Sequence, residues 1–576
     1  MNTDWKAVFI SAFNKARTRT RRNLLKMFLG ILVSPKSLYK PFEARLDVEI
    51  RDGDTGEIVP AMVCITSLSD GKWRTPPDGR SVPPFTIVQN FYEGLPSWKP
   101  GDIGPVRLTN GQYNDNNTRS DIYDGKSSYP FWQEPAAYFV SHPFSITLPA
   151  GKWRLAVYRG LEYVPVFEEF EIFSQRQRLQ TVTLRRWVNM AKGGWYSGDD
   201  HVHLVRLKPQ QNELLLTWAR AEDLHVSNIL RQGQLKEITF EQMGFGHNFR
   251  YQRGDYVLVS GQEDPSTEIH EQGHAIALNI KEPFRNVSRY HLYELMFDAV
   301  HAQGGLAGYA HLGWAREFYR RTRAESFATW DATINVVRGK VDFIEILQFR
   351  SLGLEDFYDF LNLGFKLTAS AGSDVPWGNT IGEVRMYVFI GKDFSADTWF
   401  ASMKAGRTFV TNGPMLQLKV DSAVVGDELN LERSSTVRIR ARAWAHPNIG
   451  SPKVLEIIAH GEVIRSADST GPTQSELQLD FTVKAGVSMW IAARAVSYNG
   501  AFAHTSPVYI IVAGKSFRSN NKLPRLVEQR LNVLNFILGR LRDPSYIATY
   551  SEGEVQALVE EVKQAQGAYQ ALLSPS

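Results

Sequence analysis

Residues 194–203 read Gly194-Trp195-Tyr196-Ser197-Gly198-Asp199-Asp200-His201-Val202-His203. On a strand, positions i and i+2 point to the same side, so the imidazoles of His201 and His203 can reach one ion. Asp199 lies two residues earlier, on the same side by that count, placed to orient or to ligate. A lone His-x-His is common by chance, so its surroundings decide its meaning. From 192 to 414, short apolar β runs alternate with amphipathic stretches. The spacing predicts strands at 225–230, 255–260, 306–310, 341–347, 365–370 and 386–390, and helices at 211–221, 289–302 and 396–405. Such alternation predicts an α/β fold with parallel strands, and about 220 residues suit one barrel-like domain.

The histidines concentrate in this segment. Nine of the 13 fall between His201 and His311, where uniform placement would put two or three. Singly, each is more often a surface or core residue than a ligand. Together with the acids they form a pattern. Glu263 follows one expected strand, His274 enters another, and His311 and Asp374 end two more. Acids and histidines at strand C-termini are where an α/β barrel places its chemistry. Four histidines and two carboxylates suit two divalent ions, with Glu263 as the bridge. Two ions ~3.5–4 Å apart can share a hydroxide nucleophile and polarise the attacked oxygen near neutral pH. Zn²⁺, Mn²⁺ and Fe²⁺ all accept this N/O set.

Competing motifs fare worse. His270-Glu271-Gln272-Gly273-His274 matches H-E-x-x-H, whose chemistry needs a helix. Gly273 disfavours one by about 1 kcal/mol, and 275–280 reads as strand. His225 starts a strand at the end away from the expected site and reads as structural. No G-x-S-x-G elbow, G-x-G-x-x-G loop or Walker loop is present.

The remaining chain divides around this segment. Residues 41–188 read as a β-sandwich, with alternation over 42–50, the turn Asp52-Gly53-Asp54-Thr55-Gly56, and a long Pro-, Gly- and aromatic-rich excursion at 72–135. Residues 415–513 return to β alternation, as in Val437-Arg438-Ile439-Arg440-Ala441-Arg442-Ala443, and predict a second sandwich. Residues 514–576 predict a helical hairpin, with Leu526, Leu531, Leu534, Leu538 and Leu541 on one helix face. Ser551 and Glu554 read as a capping box for its second helix, whose apolar stripe is Val555, Leu558, Val559 and Val562.

Charge is uneven. Residues 1–40 hold nine of the 65 bases and one of the 61 acids, leaving 56 bases against 60 acids elsewhere. The body therefore lacks the basic field that nucleic-acid binding needs. Thr20-Arg21-Arg22-Asn23-Leu24-Leu25-Lys26 followed by MFLGILV reads either as a twin-arginine-like export signal or as a basic amphipathic segment. That run, Met27 to Val33, is far short of the ~20 apolar residues that span a bilayer. Cys64 is the only cysteine, so any metal must be held by His, Asp and Glu.

The segments GWYSGDDHVH (194–203), VSGQED with GHAIALNI (259–280), GGLAGYAHLGW (304–314), VDFIEILQF (341–349), SAGSDVPWG (370–378) and AGRTFVTNGPMLQL (405–418) resemble the PHP (polymerase and histidinol phosphatase) superfamily. More closely they resemble its carbaryl-hydrolase (CehA/McbA) branch. That resemblance implies a distorted (β/α)₇ barrel at 189–414, flanked by the two sandwiches. It implies His201, His203, Glu263 and Asp374 around one ion and Glu263, His274 and His311 around the second, with Asp199 behind them. Asp199, Glu263 and Asp374 are thus the candidate catalytic carboxylates. The family's third-metal ligands are missing together: 229–231 reads Ile-Leu-Arg, residue 376 is Pro, and 204–211 holds no His.

The implied activity is hydrolysis of an ester, carbamate or phosphoester by a metal-bound hydroxide, on a small-molecule or glycoside substrate. Metal-dependent lyase or glycoside chemistry, and a non-catalytic protein with a relict metal site, are the alternatives. Arg231, Arg350 and Trp377, near expected strand ends, are candidate substrate contacts for an anion or a ring. Trp73, Tyr92 and Trp132 read as surface packing or as the lining of an entrance.

Overall fold

The structure, a computed structural model, describes residues 43–77, 79–81, 138–173, 176–267, 272–312, 329–348, 351–376, 378 and 380–574. The basic segment 1–40, Tyr92, Trp132, His270, Glu271, Arg350 and Trp377 lie outside these residues.

The N-terminal part packs two sheets face to face. Glu43–Asp52 pairs antiparallel with Phe144–Pro149 and parallel with Gln177–Leu184. The second sheet centres on Ala61–Ser67, between Tyr138–Val140 and Gly151–Tyr158. Leu46, Val48 and Ile50 alternate inward and meet Val63, Ile65, Leu155 and Val157. Each such side chain contributes about 1.5–3 kcal/mol on full burial. Trp73 packs between this core and the next one.

The central region corrects the expectation of a (β/α)₇ barrel between separate sandwiches. Among the described residues, strand accounts for 42% and helix for 21%. Eighteen strands join one continuous, curled, mixed sheet. Trp195–Val202, Val226–Gln234 and Tyr256–Thr267 pair in parallel. Gly273–Leu278 and Leu306–Tyr309 then pair antiparallel, and parallel pairing resumes from Leu306–Tyr309 through Phe343–Gln348 to Thr368–Gly372. The reason lies in chain length. Five residues separate Thr267 from Gly273, whereas a parallel return needs a crossover of a dozen or more. Val202 bridges Val375, bringing the ends of the curl together.

Nor is residue 414 a boundary in the hydrogen bonding. Arg385–Phe389 pairs with Thr408–Thr411, which pairs in turn with Phe502–Thr505. The C-terminal sheet thus continues the central one. Five α-helices accompany the described central strands: Pro209–Ala221, Tyr293–Ala302, Trp330–Val337, Leu354–Asn362 and Ala396–Lys404. Trp330–Val337 escapes sequence reading because it is buried from Trp330 through Val336, including Asp331, Thr333 and Asn335, and so shows no polar face.

Met415–Val420, Ser435–Trp444 and Glu476–Ala485 form a separate four-stranded sheet with Ala423–Val424. Two final helices, Leu523–Arg540 and Glu554–Ala571, add Leu526, Leu534, Ile537, Leu558 and Val562 to the central core. The capping box is corrected: the last helix is capped by Gly553 at φ 77°, not by Ser551. Ser551 donates to the Glu554 carboxylate from outside the helix, and Glu554 also accepts the backbone N–H of His291 at 2.7 Å. No helix among the described residues is long and apolar enough to cross a membrane.

Candidate metal centre

Register slips mark three of the strands that carry the site. Trp195–Val202 slips against its parallel neighbour between Asp199 and Val202. Tyr256–Thr267 slips between Glu263 and Ser266, and Phe343–Gln348 between Glu345 and Leu347. A bulge inserts a residue and re-aims the side chains after it. Two further candidate residues sit in the left-handed region, His311 at φ 33° and Asp374 at φ 53°. That conformation costs a non-glycine residue of order 1–3 kcal/mol and persists where the surroundings impose it.

These irregularities bring all six expected ligands together. His201, His203 and Asp374 form one group and Glu263, His274 and His311 a second, each with its ligand atoms within 4.8 Å of one another. Nε2 of His201 lies 2.9 Å from Nε2 of His203 and 3.3 Å from Oδ1 of Asp374. Glu263 stands between the groups. Its Oε1 lies 2.8 Å from Nδ1 of His274 and 3.5 Å from Nε2 of both His201 and His311, while Oε2 lies 3.1 Å from Nε2 of His203.

The hydrogen bonds behind the rings test whether cations fit. Nδ1 of His203 lies 3.1 Å from the carbonyl oxygen of Leu230, an acceptor only, so it carries the proton. Nδ1 of His201 faces a carboxylate oxygen of Glu345 at 3.3 Å. Both Nε2 lone pairs are thereby aimed at each other, and only a proton or a cation between them relieves the conflict. The electrostatics agree. Burial disfavours charge on His201, but Asp374, Glu263 and Glu345 outweigh it and raise its pKa well above the usual range. Burial likewise opposes ionised Glu263, yet His274 and His201 hold its pKa well below the ordinary carboxylate value. Both directions favour a positive charge beside the Glu263 and Asp374 carboxylates.

Asp199 does not face the ligand atoms. Its Oδ1 accepts the backbone N–H groups of His201 and Ser373, both at 3.0 Å, and its Oδ2 accepts that of Gly382 at 2.8 Å. Asp199 ties strand ends together rather than touching a reacting atom. Arg231 is committed to Asp264 at 3.1 Å, an acid it shares with Arg285. Arg350 and Trp377 lie outside the described residues. His225 is structural: its Nδ1 lies 2.9 Å from Ser197 Oγ and its ring stacks on Tyr256. His274 stands on the Gly273–Leu278 strand, so it cannot share a helix face as H-E-x-x-H requires.

Three supporting residues escaped sequence reading. Gln348 donates to Asp374 Oδ2 at 2.7 Å, Gln232 to Glu263 Oε2 at 3.1 Å, and Glu345 faces His201. For Glu345 a signal exists: it is the lone acid inside the apolar run Phe343-Ile344-Glu345-Ile346-Leu347. Burial pushes its pKa up to about 8, against the pull of His201.

No family model matches the chain, and no curated protein matches it. Among solved structures, fibronectin(III)-like modules of Clostridium thermocellum CbhA are 16% identical over 17% of this chain and 97% of theirs, with a TM-score of 0.13. The CARDB domain of PF1109 from Pyrococcus furiosus is 14% identical over 17% of this chain and 96% of its own, also at 0.13. A beta-glucosidase from Listeria innocua is 13% identical over 17% of this chain and 16% of its own, at 0.12. TM-scores this low carry no weight on fold or function, so the functional reading rests on the site itself.

Proposed function

We propose that this chain is a binuclear metal-dependent hydrolase of esters, carbamates or phosphoesters, in keeping with its motif resemblance to PHP-superfamily metallohydrolases. One observation carries the reading: two three-residue ligand groups meet on the Glu263 carboxylate, with the Nε2 atoms of His201 and His203 facing each other at 2.9 Å. Divalent ions bound there would supply water activation near neutral pH and polarisation of the attacked bond. His201, His203 and Asp374 would hold one, and His274 and His311 the other, with Glu263 shared.

The chain's own residues do the rest. Gln232 and Gln348 each occupy one oxygen of a ligand carboxylate, which limits its rotation. Leu230 and Glu345 fix which imidazole nitrogen faces inward. His201, His203 and Glu263 are at most 1% exposed, whereas Asp374 reaches 9% and His274 8%.

Metal mass spectrometry paired with a panel of ester, carbamate and phosphoester substrates tests this. About two ions per chain are expected, with ions and turnover lost together in His201→Ala and Glu263→Ala. Bound metal without turnover across the panel would point to lyase or glycoside chemistry. A chain that takes up no metal after repletion would leave a binding protein.

A further inference from the structure

Glu345 touches both ligand groups with one oxygen. Its Oε2 lies 3.3 Å from Nδ1 of His201, in the first group, and accepts the backbone N–H of His311, in the second, at 2.7 Å. The residue is 1% exposed. The slip between Glu345 and Leu347 also turns Gln348 toward the centre, although positions three apart on a regular strand face opposite sides. The Glu345 strand thus serves His201, His311 and Asp374 together. Room for this comes from Gly372 on the paired strand. A Cβ there would overlap the Cβ of His201 and carboxylate oxygens of Asp200 and Glu345.

We propose that Glu345 is a positioning residue that couples the two metal groups, so that filling one prepares the other. This rests on the binuclear reading above. His201 can present its Nε2 lone pair only while its Nδ1–H has an acceptor, and His311 keeps its left-handed backbone only while its N–H is held. Both demands fall on the same oxygen. With a cation held at its Nε2, His201 would donate more strongly from Nδ1, and Glu345 would be fixed by accepting that bond. Part of the ordering cost of His311 is then met before a second cation arrives. Coupling of this kind is reciprocal, so loading from the His311 side must prepare His201 equally.

The test is titration of the metal-stripped full chain with Mn²⁺, followed by native mass spectrometry, with Co²⁺ absorption as a spectroscopic readout. In the wild type, the two ions should enter together and the one-ion form should stay scarce. In Glu345→Leu the side chain offers no acceptor to either N–H. The one-ion form should accumulate, the weaker ion should lose about 10–100-fold in affinity, and the Co²⁺ bands should shift. Gln348→Ala, which releases only Asp374, should weaken binding while keeping paired entry. If Glu345→Leu does not fold, Glu345→Asp carries the test, because its shorter side chain cannot reach both partners. Two ions entering the folded variant as a pair, as in the wild type, would overturn the coupling and leave the binuclear reading standing. A wild type that binds no ion would overturn both.

Discussion

The Ser435–Trp444 and Trp195–Val202 strands obey different rules. The first pairs with Glu476–Ala485 over ten residues without a break. It buries Val437, Ile439, Ala441 and Ala443 and exposes Arg438 and Arg440. The second is buried from Tyr196 to Val202 on both faces, and its register slips where the candidate ligands begin. A strand that only packs needs one repeating rule, inward apolar and outward polar. A strand that holds ligands must aim single side chains at a point, and bulges and left-handed residues do that work. The sandwich strand is therefore robust to any change that keeps its pattern, while the ligand strand depends on particular atoms.

Substitutions in the two regions should separate these rules. The largest effect is expected from Gly372→Ala, which places a methyl against His201, Asp200 and Glu345. Metal loading should fall from about two ions to fewer than one, read by metal mass spectrometry. Full loading would show that the irregular strand ends do not set the site. Ile439→Ala in the sandwich, fully buried, should cost about 2–5 kcal/mol of unfolding free energy by denaturant titration and leave both ions in place. A metal deficit in the folded variant would mean that the two regions are not independent.

Asp199→Asn comes next. Its amide would turn an N–H toward one of the three backbone donors, at a cost of about 1–3 kcal/mol, with metal affinity reduced but not abolished. Calorimetry and metal content together check it, and an unchanged melting temperature would remove Asp199 from the strand-end tie. The smallest effect at neutral pH concerns the seam between the two regions, where His504 pairs with Val410. Burial, aided by Arg494, pushes its pKa down to about 3. The unfolded chain takes up a proton as pH falls through about 6.5 while the folded chain does not. Stability is thus full above that pH and is lost between about 6.5 and 3, by at most about 1.4 kcal/mol for each pH unit. His504→Gln should flatten this slope by one proton.

Much of the site was legible because chemistry chooses residue types whatever the backbone does. His201, His203, Glu263, His274, His311 and Asp374 stood out as types at strand ends, and the structure brings them together. Their supports did not stand out. Gln232, Gln348 and Glu345 act from slipped or doubly buried strands, where neither period nor composition marks a face. Counting by twos left Asp199 to orient or to ligate, and its bond to the His201 N–H fits the first of these. For the fold, the alternation of strands and helices suggested parallel pairing throughout. The five-residue link before Gly273 argued otherwise. The continuity from Thr408–Thr411 into Phe502–Thr505 joins residues some ninety positions apart, and no local pattern announces it.

Anomalous scattering from crystals of the full chain soaked in Mn²⁺ or Zn²⁺ addresses the convergence of the six ligands most directly. Two peaks are expected about 3.5–4 Å apart, one against His201, His203 and Asp374, the other against His274 and His311, with Glu263 between them. A single peak away from Glu263, or none in a crystal soaked at saturating metal, would contradict it.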